Sequence, residues 1–365
     1  MPVTNAKSGG DSPVKNTGRA WIAHGDNVIT LAAAHSGVNY RAVAALRFTR
    51  SIIGMGQVHR DTGYVPRVSC NADTASRLLV RLHGGYGFTS CGDAGGASGT
   101  TERFDDSANT QTGKANASIR FEGAGYSLNG YGFTSCGQYI SPVGTTERYD
   151  DVANAHTSRT GATARYGVAG YSLNGYGFTS CGYGSNYLGT TERFDDVANS
   201  HTGRTGATVR YGVAGYSLNG YGFTSCGFYS GNVGTTERFD DAANIHTGRA
   251  GATVRYGAGG YSLGGCGFTS CGTAGGVTGA TERFDDLANT HTGRAGATAR
   301  YGAAGYCLNG YGFTSCGSTG SNTGATERFD DAANTHTGRT SATARYAPAG
   351  YSLNEYFVDY ATMET

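Results

Sequence analysis

Five histidines, His156, His201, His246, His291 and His336, recur at 45-residue intervals, each five residues after an aspartate pair such as Asp150-Asp151. Imidazole beside carboxylate can hold a metal or relay a proton. The grouping appears in copy after copy, however, whereas a catalytic centre is normally one asymmetric constellation. The histidines are therefore read as structural, and no catalytic residue, metal ligand or cofactor is assigned. Six cysteines, Cys91, Cys136, Cys181, Cys226, Cys271 and Cys316, keep the same interval. Neither the short, uneven spacings of a secreted disulfide framework nor the paired C-x-x-C ligands of a zinc site occur, so reduced thiols serving as small buried hydrophobes are expected. Cys266 and Cys307 stand outside this register, where other copies carry Tyr and Ser. A further set, Arg120, Arg165, Arg210, Arg255, Arg300 and Arg345, is spaced in the same way. Guanidinium groups offer paired donors that suit carboxylates, phosphates and acidic sugars.

The elements that carry these residues are written in the composition. The 365 residues include 62 Gly, 25 Tyr and 15 Phe but only 5 Pro. Glycine does not fall at every third position, which excludes collagen, and the aromatic content is too high for a disordered chain. Twenty-eight Lys and Arg against 27 Asp and Glu leave a net charge of +1. No overall field draws such a chain to nucleic acid or to an anionic membrane, and neither is expected as a partner. The opening residues contain no apolar leader, and no stretch of about 18 apolar residues could span a bilayer. The expectation is a soluble, unprocessed cytoplasmic protein.

Self-similarity dominates the rest. Y-G-F-T-S-C-G stands at 86, 131, 176, 221 and 311, with C-G-F-T-S-C-G at 266. Each copy continues through six variable residues, then G-[TA]-T-E-R-[FY]-D-D, A-T-x-R-Y-G and A-G-Y-S-L-N-G. A unit of this length suits a four-stranded propeller blade or a pair of helices. Asn129-Gly130, Asn174-Gly175, Asn219-Gly220 and Asn309-Gly310 decide for strands, because N-G between two β-prone runs marks the two-residue hairpin turn. In one unit the expected strands are 165–173, 176–181, 190–195 and 200–205. Asp195, Asp196 and Asn199 are read as caps on backbone amides in an Asx-type turn.

The order R-Y-G-V-A-G-Y-S-L-N-G-Y-G-F-T-S-C-G, then T-T-E-R-F-D-D-V-A-N-S-H-T, resembles the kelch repeat over about residues 76 to 360. The resemblance implies a β-propeller whose blades carry an Arg, an N-G turn, a Gly-Gly doublet, a Tyr-Asp and an Asn-x-Trp. Two hallmarks differ: the doublet is Cys-Gly, as at Cys181-Gly182, and histidine, or Gln111 in the first copy, takes the tryptophan position. Losing an indole removes apolar contact of about 2 kcal/mol per blade, which implies looser packing.

First strands begin near 76, 120, 165, 210, 255, 300 and 345, and second strands near 86, 131, 176, 221, 266, 311 and 356. The expected fold is therefore an all-β propeller of seven four-stranded blades, with six as the alternative, closed by pairing of N- and C-terminal strands. In the seventh blade, 345–353 and 356–360 would supply two strands and residues 56–75 the other two. The expected organisation is an N-terminal segment over 1–55, the propeller over 56–360 and a short tail over 361–365.

In a kelch-like propeller the strand after each arginine lies nearest the axis, so the six arginines would ring one mouth of the channel. The competing reading pairs each with a Glu or Asp of its own or the next blade. The copies disagree most at 93–98, 138–143, 183–188, 228–233, 273–278 and 318–323, which join strands two and three and emerge on one face. Three consecutive loops carry Tyr139, Ile140, Tyr183, Tyr187, Phe228 and Tyr229. Aromatics on loops of a rigid scaffold commonly build a binding face. The reading is a non-enzymatic protein-interaction module whose partner is a protein or peptide, acidic if the arginine ring is used. A glycan-binding propeller stacking sugars on the same rings is the alternative. An enzyme like the galactose oxidase or sialate epimerase branches of such propellers ranks last, because unlike ligands would have to converge once.

Overall fold

The computed structural model describes residues 85–353 in full, together with the backbone of the strands Thr17–His24, Asn27–Ala34, Leu78–Leu82 and Tyr356–Tyr360. One compact unit comprises Met1–Leu82 with Tyr356–Thr365, the other His83–Glu355. In the first, Thr17–His24 pairs antiparallel with Asn27–Ala34, and Leu78–Leu82 with Tyr356–Tyr360.

The second unit is built of six four-stranded antiparallel sheets. Blade 3 shows the pattern: Ala169–Leu173 is innermost, followed outward by Tyr176–Ser180, Thr191–Asp195 and Ser200–Arg204. Its first hairpin turns through Asn174 and Gly175, both at positive φ (51° and 80°), as the N-G signal requires. Blades 2, 4, 5 and 6 repeat this arrangement, with inner strands Ala124–Leu128, Ala214–Leu218, Gly259–Leu263 and Ala304–Leu308. Blade 1 takes its inner strand, Ala349–Leu353, from the far end of the repeat array and pairs it with Tyr86–Asp93, then Ala97–Asp105 and Thr110–Lys114.

Among the described residues the blades therefore number six, the alternative expected above, not seven. The A-G-Y-S-L segment at 349–353 completes the first blade, with Leu353 opposite Tyr86. Tyr356–Tyr360, expected as the second strand of a seventh blade, pairs with Leu78–Leu82 instead. Residues 56–75, expected to supply the outer half of that blade, lie outside the described residues.

Around the axis the inner strands touch through glycine. A Cβ on Gly125, Gly170, Gly215, Gly260, Gly305 or Gly350 would fall within 3 Å of the carbonyl oxygen of the equivalent glycine in the preceding blade. A larger residue would force the blades apart, so the A-G-Y motif is a requirement of the narrow axis. Two residues on, the Ser127 hydroxyl donates to the Ser352 carbonyl at 2.5 Å, and Ser172, Ser217 and Ser262 donate likewise to Ser127, Ser172 and Ser217.

Between blades, the inner-strand tyrosines and second-strand phenylalanines form the core. Tyr171 and Phe178 stack at 5.4 Å with Phe239 of the next blade against them. The Tyr171 hydroxyl meets Ser180 Oγ at 2.9 Å, Ser180 meets Thr191 at 3.0 Å, and Thr191 meets His246 Nε2 of the next blade at 3.2 Å. His246 packs on Phe239 at 4.7 Å between centroids. Each repeat histidine thus contributes one hydrogen bond across the blade boundary and one ring contact. In blade 1, Gln111 Nε2 donates to the Thr340 carbonyl at 3.3 Å in their place. The second aspartate of each pair clamps blades together: Asp241 accepts from Arg193 and Arg204 of the preceding blade. The first aspartate caps its own turn, Asp195 Oδ1 accepting from the Val197 and Ala198 amides at 2.9 and 3.1 Å. Asn199 does not cap its own turn; its Oδ1 accepts from the Thr160 amide of the preceding blade at 2.9 Å.

Burial holds the five repeat histidines below the usual imidazole pKa. For a base with a depressed folded pKa, the unfolded chain takes up more protons on acidification, so the stability these groups contribute is complete above about pH 6.5 and declines as pH falls from there. Thermal unfolding is expected to drop by several degrees between pH 7.5 and pH 5.5. Replacing all five histidines with Gln, the side chain already present in blade 1, should flatten that dependence; an unchanged slope would contradict the assignment.

Candidate functional site

The six arginines expected at the channel mouth are interior residues. Each is at most 1% exposed. Arg255 Nη1 meets Glu282 Oε2 at 2.8 Å and Arg345 Nη1 meets Glu102 at 2.6 Å, while Arg120, Arg165, Arg210 and Arg300 pair with Glu147, Glu192, Glu237 and Glu327. Arg165 Nη2 also donates to Thr179 Oγ1 and its carbonyl at 2.8 and 3.2 Å. The glutamate belongs to T-E-R on the third strand of the same blade, so every arginine finds a counter-charge inside its own sheet. Burial alone would raise the Glu192, Glu237 and Glu327 pKa values, but the facing arginines and threonine donors outweigh it and hold them low. Buried and ion-paired in this way, the arginines present no charge at the surface for an acidic ligand.

The variable loops do share one face. Tyr183 bridges Tyr166 and Tyr187, and Phe228 bridges Tyr211 and Asn232, so each loop folds back beside the residue that follows the buried arginine. Their aromatics form one network. Tyr187 lies 5.2 Å from Tyr183, 5.3 Å from Tyr229 and 5.8 Å from Tyr211, and Phe228 lies 5.7 Å from Tyr211 and 5.6 Å from Tyr256. Tyr183, Tyr187 and Phe228 are half-buried, and Tyr229 is 48% exposed. Tyr139 and Ile140, at 52% and 85% exposure, stand outside this network among the described residues.

Two features of this face are absent from the sequence reading. The residues after the arginines, Phe121, Tyr166, Tyr211, Tyr256, Tyr301 and Tyr346, ring the axis, with neighbouring centroids from Phe121 through Tyr346 round to Tyr166 spaced 5.1–6.5 Å apart. Beneath them lies a collar of six backbone hydrogen bonds: Gly167, Gly212, Gly257, Gly302, Ala347 and Glu122 each donate N–H to the carbonyl of the equivalent residue in the preceding blade, at 2.7–3.0 Å. All six collar residues have φ between 49° and 66°. That region suits glycine, yet Glu122 occupies one of the positions. Glu122, Tyr211, Tyr256 and Tyr346 line a pocket centred on the collar. The signal that could have exposed Glu122 was its place as a one-off charge in a position otherwise Gly or Ala.

The repeat cysteines sit at φ of 61–67° ahead of a glycine at 113–124°, at the end of the second strand. Burial raises their thiols, to about 11 for Cys181, which keeps them protonated. Cys266 and Cys307 meet at the boundary of blades 5 and 6, where Cys307 packs against the cluster of Tyr261, Leu263, Cys266, Phe268 and Phe329. Cys266 takes the place of a tyrosine over which the arginine stacks in other blades, as Arg238 does on Tyr221 at 4.3 Å, and accepts from Arg283 Nε at 3.0 Å. Glu192→Gln should cost about 3–5 kcal/mol in denaturant unfolding, because it strands the Arg165 charge in the interior. A loss below about 1 kcal/mol would mean that Arg165 reaches solvent.

No protein-family profile matches the chain, and no curated protein matches it. Among solved structures, one titled "Structure of YjhT" superposes with a TM-score of 0.56 at 10% identity, covering 69% of this chain and 97% of that one. At that identity the likeness concerns the fold alone: the chain is a six-bladed β-propeller.

Proposed function

We propose that this chain is a divergent kelch-type propeller acting as a protein-binding module, with a segment of partner polypeptide laid across the aromatic tract of blades 3 to 5. The observation that carries the reading is the continuity of Tyr183, Tyr187, Phe228 and Tyr229 with the axial tyrosines. These rings come from the loops where the repeats diverge, whereas the strands beneath them are nearly invariant. Half-buried aromatics held by their neighbours lose little conformational freedom on binding, which is why such side chains serve as interface anchors. Catalysis has less support: the histidines and second aspartates bond across blade boundaries, the first aspartates cap their own turns and the arginines pair with glutamates of their own blades, and among the described residues no group of three His, Cys, Asp or Glu is placed to hold a metal. With the arginines internal, the partner segment is expected to be apolar or aromatic rather than acidic.

Panning a displayed peptide library on the full chain should enrich peptides that bind at least tenfold more weakly to a Tyr187→Ser, Phe228→Ser, Tyr229→Ser variant of unchanged melting temperature. Peptides indifferent to the triple variant would contradict the assignment. A glycan array giving variant-sensitive binding while no peptide is enriched would transfer the face to carbohydrate.

A further inference from the structure

The collar position of blade 2 differs from the other five in carrying a charged side chain. Five collar residues are Gly or Ala, whereas Glu122 holds a long charged side chain at φ 55°. A non-glycine residue pays for the left-handed conformation, and such strain persists where something compensates it. Glu122 Oε1 accepts from the Tyr346 hydroxyl at 2.5 Å, but Oε2 is wholly buried and has no hydrogen-bond partner in the protein. An unsatisfied buried carboxylate oxygen is costly and rare. The repeated arginines do not relieve it, since each is bound to its own glutamate.

We infer that the axial mouth is a binding site for an organic ammonium group, with its N–H directed to Glu122 Oε2 and its carbon substituents against the faces of Tyr211, Tyr256 and Tyr346. A carboxylate at the floor of an aromatic enclosure is complementary to such a cation twice over, through charge and through the negative faces of the rings. A hard metal ion fits less well: Ca²⁺ or Mg²⁺ needs about six oxygen ligands, and this pocket supplies a single carboxylate among rings and glycines. An anion would meet the carboxylate itself. The site adjoins the loop tract through Tyr211 and Tyr256, but its charged contact, Glu122, is separate from the loop residues on which the proposed function rests.

The protonation of Glu122 gives the site a pH signature. Burial raises the Glu122 carboxyl above its usual range, the Tyr346 hydrogen bond opposing this only in part. The other titratable groups coupled to it are the hydroxyls of Tyr166, Tyr211, Tyr256 and Tyr346, whose pKa values burial raises and which stay neutral. An ammonium ligand requires the carboxylate form, so its affinity should rise with pH through the Glu122 titration.

Titration of the full chain with n-butylammonium chloride, followed by calorimetry and tyrosine fluorescence, tests the site, with sodium butyrate as the control of opposite charge. Butylammonium should bind, more tightly at pH 8 than at pH 5, and butyrate should not. Glu122→Gln should weaken binding at least tenfold. Glu122→Gly, which restores the residue used by most other blades, should abolish binding while raising the melting temperature by a few degrees, a combination that a purely structural glutamate would not give. Equal affinity in the wild type and in Glu122→Gly, or preference for butyrate, would overturn the inference.

Discussion

The structure depends on how closely six inner strands approach one axis. At Gly125, Gly170, Gly215, Gly260, Gly305 and Gly350 there is no room for a methyl group, because the backbone of the preceding blade fills it. Once the strands are that close, the serine bonds below and the amide collar above lie within hydrogen-bonding reach, and the tyrosine on each inner strand lands over the second-strand glycine of the next blade. The same offset then recurs at every boundary, so one set of side chains can be copied around the ring. Thr146 meets His201, Thr191 meets His246 and Thr236 meets His291 by the same sequence separation of 55 residues. Such regular partnering explains why the strands tolerate almost no variation while the loops vary freely.

Much of this was legible in the sequence because it rests on short-range rules. The N-G turns required positive φ, and Asp195 capped the turn that follows it. Blade number was harder to read. Residues 345–353 look like the start of a new unit by sequence alone, and only their register against Tyr86–Ser90 shows that they complete an existing one. The arginines show the same limit: the kelch resemblance implied a ring at the axis, and it is the third-strand neighbour Glu192 that decides for the competing reading, in which Arg165 is paired within its own blade. The collar was invisible for a related reason. Six residues 45 positions apart become one feature when the ring brings them together, and Glu122 then stands out as the odd member.

The polar chemistry that first draws attention is therefore spent on cohesion. Aspartates clamp adjacent blades, histidines bridge threonines across boundaries, and the arginine–glutamate pairs tie each inner strand to its own sheet. Each buried ion pair is surrounded by further donors, as Glu192 is by the Thr163 amide and hydroxyl, which is the condition under which burying charge is tolerable. The recognition proposed above uses the loop face: a tract of rings whose composition changes from blade to blade, and an axial mouth made asymmetric by one glutamate. A symmetric scaffold can discriminate among ligands only where its copies differ, and both features lie at such places.

Hydrogen exchange at the collar amides tests the ring most directly. Glu122 and Ala347 belong to segments more than 200 residues apart, and the Glu122 N–H is bonded only if the first and last repeats meet. The account predicts that the amides of Glu122, Gly167, Gly212, Gly257, Gly302 and Ala347 are protected together, to the degree shown by the strand amides of Tyr176–Ser180. Rapid exchange at Glu122 while the other five remain protected would show an array left open at that seam, and would contradict it.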